Sequence, residues 1–142
     1  MYTEKTCIIL RGLPGSGKSC LAGLLFMLAE TGHVKCEVCS ADDYHINPET
    51  GKYEFDPDRV SECHDLCKDK FTKCVLDDTQ LIVVDNTNTM QWQFDFYEKI
   101  ALENGYKVFH LIVENRHGGT SVHGVPSVTV NRMRDDFEIQ LG

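Results

Sequence analysis

The run Gly12-Leu13-Pro14-Gly15-Ser16-Gly17-Lys18-Ser19 fits G-x-x-x-x-G-K-[ST] at every position. Glycine reaches backbone angles closed to other residues, so successive N–H groups can turn into one concavity. A concavity that opens onto a helix N-terminus attracts an anion, because unpaired N–H groups and the helix dipole both face it. There Lys18 would reach the β- and γ-phosphates of a nucleoside triphosphate such as ATP, and Ser19 would offer its hydroxyl to Mg²⁺. The flanks agree with this use. An apolar run, Thr6 to Arg11, precedes the loop, and a Leu- and Ala-rich stretch follows it. A glycine-rich turn with an incidental lysine would need neither.

Two more carboxylate positions fall where a parallel sheet would present them to the loop. Leu81-Ile82-Val83-Val84 is a continuous apolar run that ends on Asp85, and ligands of open α/β sheets bind at the carboxyl ends of the strands. From there Asp85 could accept from a metal-bound water or orient the Ser19 hydroxyl. Capping the Asn86-Thr87-Asn88 turn is the plainer use, and the two are compatible. Asp42 and Asp43 follow the second apolar run directly. A carboxylate in that place can accept the proton of a hydroxyl brought up to the γ-phosphate, although spacing alone also allows a turn cap. Adjacent residues leave a strand in different directions, so one of the pair is expected to face the site. Asp42 is the choice, with Asp43 or Tyr44 shaping the entrance.

Other reactive residue types read more plainly. Cys36 and Cys39 form a C-x-x-C with His33 upstream, but residues three apart on a strand point to opposite faces and cannot share a metal. Cys63, Cys67 and Cys74 share one helical face, where free cysteine behaves as a small hydrophobe. His117 and His123 flank a Gly-Gly pair in a loop and read first as solvent-exposed, with a phosphate contact as the alternative. Trp92, Phe94, Phe96 and Tyr97 could suggest a base-stacking platform, but at helical spacing Trp92 and Phe96 read as core. The loop from Tyr44 to Phe55, with Lys52 and Tyr53, follows Asp42 directly; substrate contact and unconstrained loop remain equal readings there.

The elements that must position these residues alternate between apolar runs and helical periods, the pattern of an α/β layer fold. Strands are predicted at Thr6–Arg11, Val34–Ser40, Leu81–Val84 and Tyr106–Val113. Helices are predicted from Gly17 to about Thr31, stopped by Gly32, and from Asp58 to about Asp77, with Val60, Cys63, Cys67, Phe71, Cys74 and Val75 on one face. A third runs from about Thr89 to Asn104 with Trp92, Phe96 and Ile100 as its stripe, and a last one from Val128 to Leu141. Residues 42–57 and 114–127 are read as long loops.

With 142 residues the chain predicts a single domain, 1–142, since domains typically hold roughly 100–200 residues. Fourteen Lys and Arg against 22 Asp and Glu give a net charge of −8, which excludes a protein that holds nucleic acid by bulk positive charge but not one that grips a few phosphates in a pocket. Seven cysteines leave at least one unpaired in any disulfide scheme. No secretory signal is visible, and the longest apolar stretch, Leu21–Ala29, falls far short of the roughly 20 residues of a spanning helix. The expectation is a soluble intracellular protein, cytoplasmic or nuclear, with no membrane partner; nothing in the sequence names a protein partner.

Taken together, Arg11 through Ser19, Ser40-Ala41-Asp42-Asp43-Tyr44, Val84-Asp85-Asn86-Thr87-Asn88 and His123-Gly124-Val125-Pro126 resemble the P-loop polynucleotide 5′-hydroxyl kinases of the phage type. The resemblance is to two eukaryotic branches in particular, the kinase-like domains of the NEDD4-binding proteins and of the cyclic nucleotide phosphodiesterases. It implies a three-layer α/β P-loop fold with a short parallel sheet. It also implies Mg²⁺-dependent transfer of the ATP γ-phosphate to the 5′-hydroxyl of an RNA or DNA end. Residue by residue, Asp42 would be the general base, with Lys18 and lid arginines, Arg116 here, stabilising the transferring phosphoryl. Gly12 through Cys20 and Arg132 would hold the nucleotide, Ser19 and Asp85 the metal, and Asp43, His45, Asp85 and Asn88 the acceptor. His45 stands where the phage-type enzymes carry an arginine, Cys20 where threonine is usual, and the lid is short. A small-molecule P-loop kinase and a nucleotide-binding interaction module are the competing readings.

Overall fold

The computed structural model describes residues 4–114 and 127–137. Four strands, β1 (Thr6–Arg11), β2 (Cys36–Cys39), β3 (Leu81–Asp85) and β4 (Lys107–Ile112), form a sheet in the order β2-β3-β1-β4. All three pairings are parallel, and Thr6 lies in register with Leu81 on one side and Lys107 on the other. The helices are α1 (Lys18–Thr31), α2 (Val60–Leu76), α3 (Gln91–Glu103) and α4 (Ser127–Asp136), and two short 3₁₀ turns cover Ala41–His45 and Pro57–Arg59.

Strand alternation builds the layers. Ile8, Leu10 and Val83 face α1, where they pack with Ala22 and Ala29. Cys7, Ile9, Ile82 and Val84 face the other way, onto Phe71 of α2 and Tyr97 of α3. The central strands β1 and β3 are therefore buried on both sides, which is why both read as unbroken apolar runs. Ile9, Ile82, Val83 and Val84 are fully buried, each such side chain contributing about 1.5–3 kcal/mol. This is the three-layer α/β arrangement expected from the resemblance. Cys36 joins the α1-side core and Cys39 the opposite one, so the two cysteines of the C-x-x-C diverge as strand geometry requires.

Four expectations change. The strand read as Val34–Ser40 is Cys36–Cys39; Val34 donates its N–H to the Ala29 carbonyl to close the end of α1, and Ser40 accepts from Asp43 to open the 3₁₀ turn. The segment read as unstructured after Asp42 contains that turn and a small hairpin in which Ile46 pairs with Tyr53. The stripe of α3 is broader than expected and shifted: Phe94, Tyr97 and Ala101 are its buried residues, Phe96 and Ile100 pack half-buried against the same core, and Trp92 is 70% exposed. Phe94 is drawn inward by Arg11, whose guanidinium lies 4.6 Å from its ring centre. Trp92, the second residue of the helix, donates its indole N–H to the Met90 sulfur at the surface. The last helix begins one residue earlier than expected, and its expected end lies outside the described residues.

Candidate active site

The loop after β1 has the shape its glycines predict. Gly15 and Gly17 sit at φ 82° and 102°, in the left-handed region that disfavours side chains. Gly12 is required for another reason: a Cβ there would meet the Val113 carbonyl and Ser16 Oγ at 2.7 Å. The loop is tied to the sheet by Gly12 N–H donating to the Thr87 carbonyl and closed internally by Ser16 N–H donating to Leu13. Helix α1 starts at Lys18 with no acidic residue in its first turn, so no carboxylate competes for the positive end of the helix.

Lys18 is 9% exposed, and its Nζ donates to the Leu13 carbonyl at 3.3 Å. Burial pulls its pKa below the ordinary lysine value, against the upward pull of the Asp85 and Asp42 charges. Ser19 Oγ donates to Asp85 Oδ2 at 2.9 Å. Asp85 is itself buried at the end of β3, and burial pushes its carboxyl pKa up while Lys18 and the Ser19 hydroxyl hold it down. A hydroxyl and a carboxylate oxygen side by side at a phosphate loop are hard-oxygen donors of the kind Mg²⁺ takes.

Beyond Ser19 opens a cleft of about 630 Å³, whose walls include Ser19, Phe26, Asp42, Asp43, Tyr53, Lys70 and Asp85. Both adjacent aspartates line it, not one of the pair, because a 3₁₀ turn separates neighbours by about a third of a rotation rather than by the half-turn of a strand. They face different cations. The charge of Asp42 acts on Lys18, and that of Asp43 is answered by Lys70, which lies on α2 and donates to the Val38 carbonyl at 2.7 Å. Burial raises the Asp43 carboxyl above its usual range, with Lys70 opposing. Tyr44 is half-buried and packs against the core.

Two residues expected at the acceptor have structural contacts of their own. Asn88 is 2% exposed at φ 47°, and its side-chain amide donates to the Leu10 and Asn86 carbonyls; it pins the turn after β3 to the end of β1. His45 is 5% exposed and absent from the cleft wall. Its ring packs against Tyr53 and Phe55, and its Nδ1 accepts from the Asp56 N–H. Cys20 is exposed in the first turn of α1, and Arg132 is exposed on α4. Arg116, His117 and His123 lie outside the described residues.

Sequence reasoning missed three contributors. Asn86 Oδ1 accepts the Ala41 N–H at 2.9 Å, which fixes the turn that carries Asp42. Arg11, at the last position of β1, donates to the Asn88 and Thr89 carbonyls between the rings of Phe94 and Phe137. Lys70 reads in sequence as one of several lysines on an amphipathic helix. The available signal for Asn86 was its place directly after Asp85.

The family model described as AAA domain matches residues 7–118. The chain belongs to that family, among its P-loop kinase-like members. It is similar to human NEDD4-binding protein 2, 28% identical over 145 residues, which cover 96% of this chain and 8% of that protein. It is also similar to mouse 2′,3′-cyclic-nucleotide 3′-phosphodiesterase, 35% identical over 108 residues, 76% of this chain and 24% of that one. This P-loop domain thus spans only a minor part of the length of either relative. Among solved structures, Chaetomium thermophilum Kti12 in complex with ADP-AlF3 superposes with a TM-score of 0.66 at 14% identity, covering 94% of this chain and 80% of Kti12; at that identity the likeness shows the fold. Among the described residues no helix is long and apolar enough to cross a membrane.

Proposed function

We propose that this P-loop domain transfers the γ-phosphate of ATP to the 5′-hydroxyl of an RNA or DNA end. The observation that carries the reading is the position of Asp42, which lines one cleft with Ser19 and Asp85 of the phosphate site. Nucleotide binding alone has no use for a carboxylate there, whereas an alcohol acceptor must lose a proton. A nucleotide and a metal fluoride bound to a protein of this fold support ATP as the donor. The resemblance of Ser40-Ala41-Asp42-Asp43-Tyr44 and Val84-Asp85-Asn86-Thr87-Asn88 to the polynucleotide 5′-hydroxyl kinases favours a nucleic acid acceptor over a small alcohol.

In this reading the loop N–H groups of residues 12–19 and Lys18 hold the β- and γ-phosphates. The acceptor 5′-oxygen attacks the γ-phosphorus as its proton passes to Asp42. The bond to the β–γ bridging oxygen breaks, and ADP leaves with the electron pair. Ser19 and Asp85 would hold Mg²⁺, which when bound supplies positive charge to the phosphates. Asp43 lines the acceptor end, and Arg116 and Arg132 are proposed to reach the nucleotide from the chain that follows β4.

The test is transfer of labelled γ-phosphate from ATP to matched RNA and DNA oligonucleotides with 5′-hydroxyl ends. Lys18→Ala and Asp42→Asn are each expected to lower the rate at least about 100-fold, and the RNA-to-DNA ratio names the acceptor. Transfer to a small alcohol in place of either oligonucleotide would move the acceptor class. ATP binding by folded protein without transfer to any acceptor would make the domain a binding module.

A further inference from the structure

The hairpin after the 3₁₀ turn is built too firmly for an idle loop. Ile46 and Tyr53 pair across it, Asn47 N–H donates to the Lys52 carbonyl at 2.8 Å, and Gly51, at φ 70°, donates back to Asn47. At its base Glu54 N–H donates to the His45 carbonyl, and the buried His45 ring lies 5.8 Å from the Tyr53 ring and 5.1 Å from that of Phe55. The inner side of the hairpin, Ile46, Gly51 and Tyr53, forms a wall of the cleft that holds Asp42. From that wall the Tyr53 hydroxyl donates to Asp42 Oδ1 at 3.4 Å.

We infer that Tyr53 is a positioning residue for Asp42: its phenol O–H donates to one carboxylate oxygen and so sets the direction in which the carboxylate faces the cleft. The inference rests on the kinase reading above and adds to it a residue that the family motifs do not supply. A general base works only within hydrogen-bond reach of the proton it takes, and an aspartate free to rotate about χ1 and χ2 spends part of its time elsewhere. A hydrogen bond from the hairpin to one oxygen narrows that freedom. The phenol registers the contact from its own side. Burial, then the Asp42 charge, pushes the Tyr53 pKa up to about 12. His45 is the strut behind it, since its ring and its Asp56 contact set the angle at which the hairpin leaves the turn.

Tyr53→Phe in the full chain, assayed with ATP and a 5′-hydroxyl oligonucleotide, is expected to lower kcat about 10-fold and to leave both KM values within about 2-fold. The ring and its packing on His45 survive that change, so a merely structural tyrosine would show an unchanged kcat, and that result overturns the inference. A raised oligonucleotide KM with unchanged kcat overturns it equally, because it makes Tyr53 a wall and nothing more. A second measurement needs neither turnover nor a stable Tyr53→Phe. In protein labelled with ¹³Cζ-tyrosine, Asp42→Asn is expected to bring the Tyr53 titration down from about 12 towards the ordinary tyrosine value; a titration that stays in place overturns the contact. Wild-type protein that transfers nothing sinks the kinase reading instead, and the labelled-tyrosine result then still decides whether Tyr53 holds Asp42.

Discussion

Lys18 and Asp85 are both buried at the phosphate site, and burial pushes each towards its neutral form despite the presence of the other. The folded chain therefore carries this pair at a cost, as buried ion pairs often do. Lys18→Met combined with Asp85→Asn is expected to end phosphoryl transfer and to raise Tm by about 3–6 °C at pH 7. The pH dependence of that gain follows from the directions of the two shifts. Below the ordinary aspartate value of 3.8, Asp85 is protonated in folded and unfolded chains alike and costs nothing; its cost grows as pH rises through its raised folded value. The Lys18 cost is present throughout this range and is relieved only as pH climbs through its lowered value towards 10.5. Thermal melts at pH 3.5 and pH 7 should thus show the smaller gain at the lower pH, and an equal gain at both would mean that Asp85 is not a buried charge. The residues of the loop were legible in the sequence because what they need, glycine angles and a helix start, is local. His45 and Asn88 were not, because what each touches is decided by distant chain: the Phe55 ring and Asp56 N–H for one, the Leu10 carbonyl for the other.

Among the elements, α3 shows how a tertiary contact can overrule a periodic pattern. Aromatic residues at positions 92, 94, 96 and 97 admit more than one apolar stripe, and sequence spacing alone selected the one through Trp92. The structure selects the stripe through Phe94 and Tyr97, where Phe94 stacks on Arg11 and Tyr97 lies edge-on to Phe71 with its hydroxyl on the Cys67 sulfur. Tyr97→Ala is expected to cost about 3–5 kcal/mol in urea unfolding, the range for emptying a buried aromatic site. Trp92→Ala should stay within about 0.5 kcal/mol, as exposed positions do. A loss at Trp92 matching that at Tyr97 would return the helix to the phase read from the sequence. Strands and the other helices were legible because β1, β3 and α2 each carry a single unambiguous pattern. The hairpin at 46–53 was not, since its pairing is one bridge long and carries no alternation of its own, while the His45 ring that packs on Tyr53 comes from the turn before it.

At the scale of the molecule, an acidic chain of net charge −8 keeps Lys70 in the wall of the cleft and Lys18 in the phosphate loop, so attraction for phosphate is local and the surroundings repel a polyanion laid across them. The thiols are partitioned in the same way. All seven are free, six are buried, and Cys20 alone is exposed, directly after Ser19 in the first turn of α1. Iodoacetamide at pH 7.5 is therefore expected to modify one of the seven cysteines quickly in native protein, with peptide mapping to Cys20, and all of them in denaturant; ATP with Mg²⁺ should slow the fast event. Rapid labelling of Cys63 or Cys67 would mean that the α2 face opens far more readily than its burial allows. The order of the sheet also sets a timetable. The first strand made is the central one, and its partners are written much later: Thr6 waits for Leu81 on one side and for Lys107 on the other. Such distant pairings are slow to close. During synthesis the phosphate loop, suspended between β1 and the turn after β3, has no floor until the chain has emerged past residue 87 and no second wall until it has passed Val113, so this domain gains its grip on nucleotide late in its own translation.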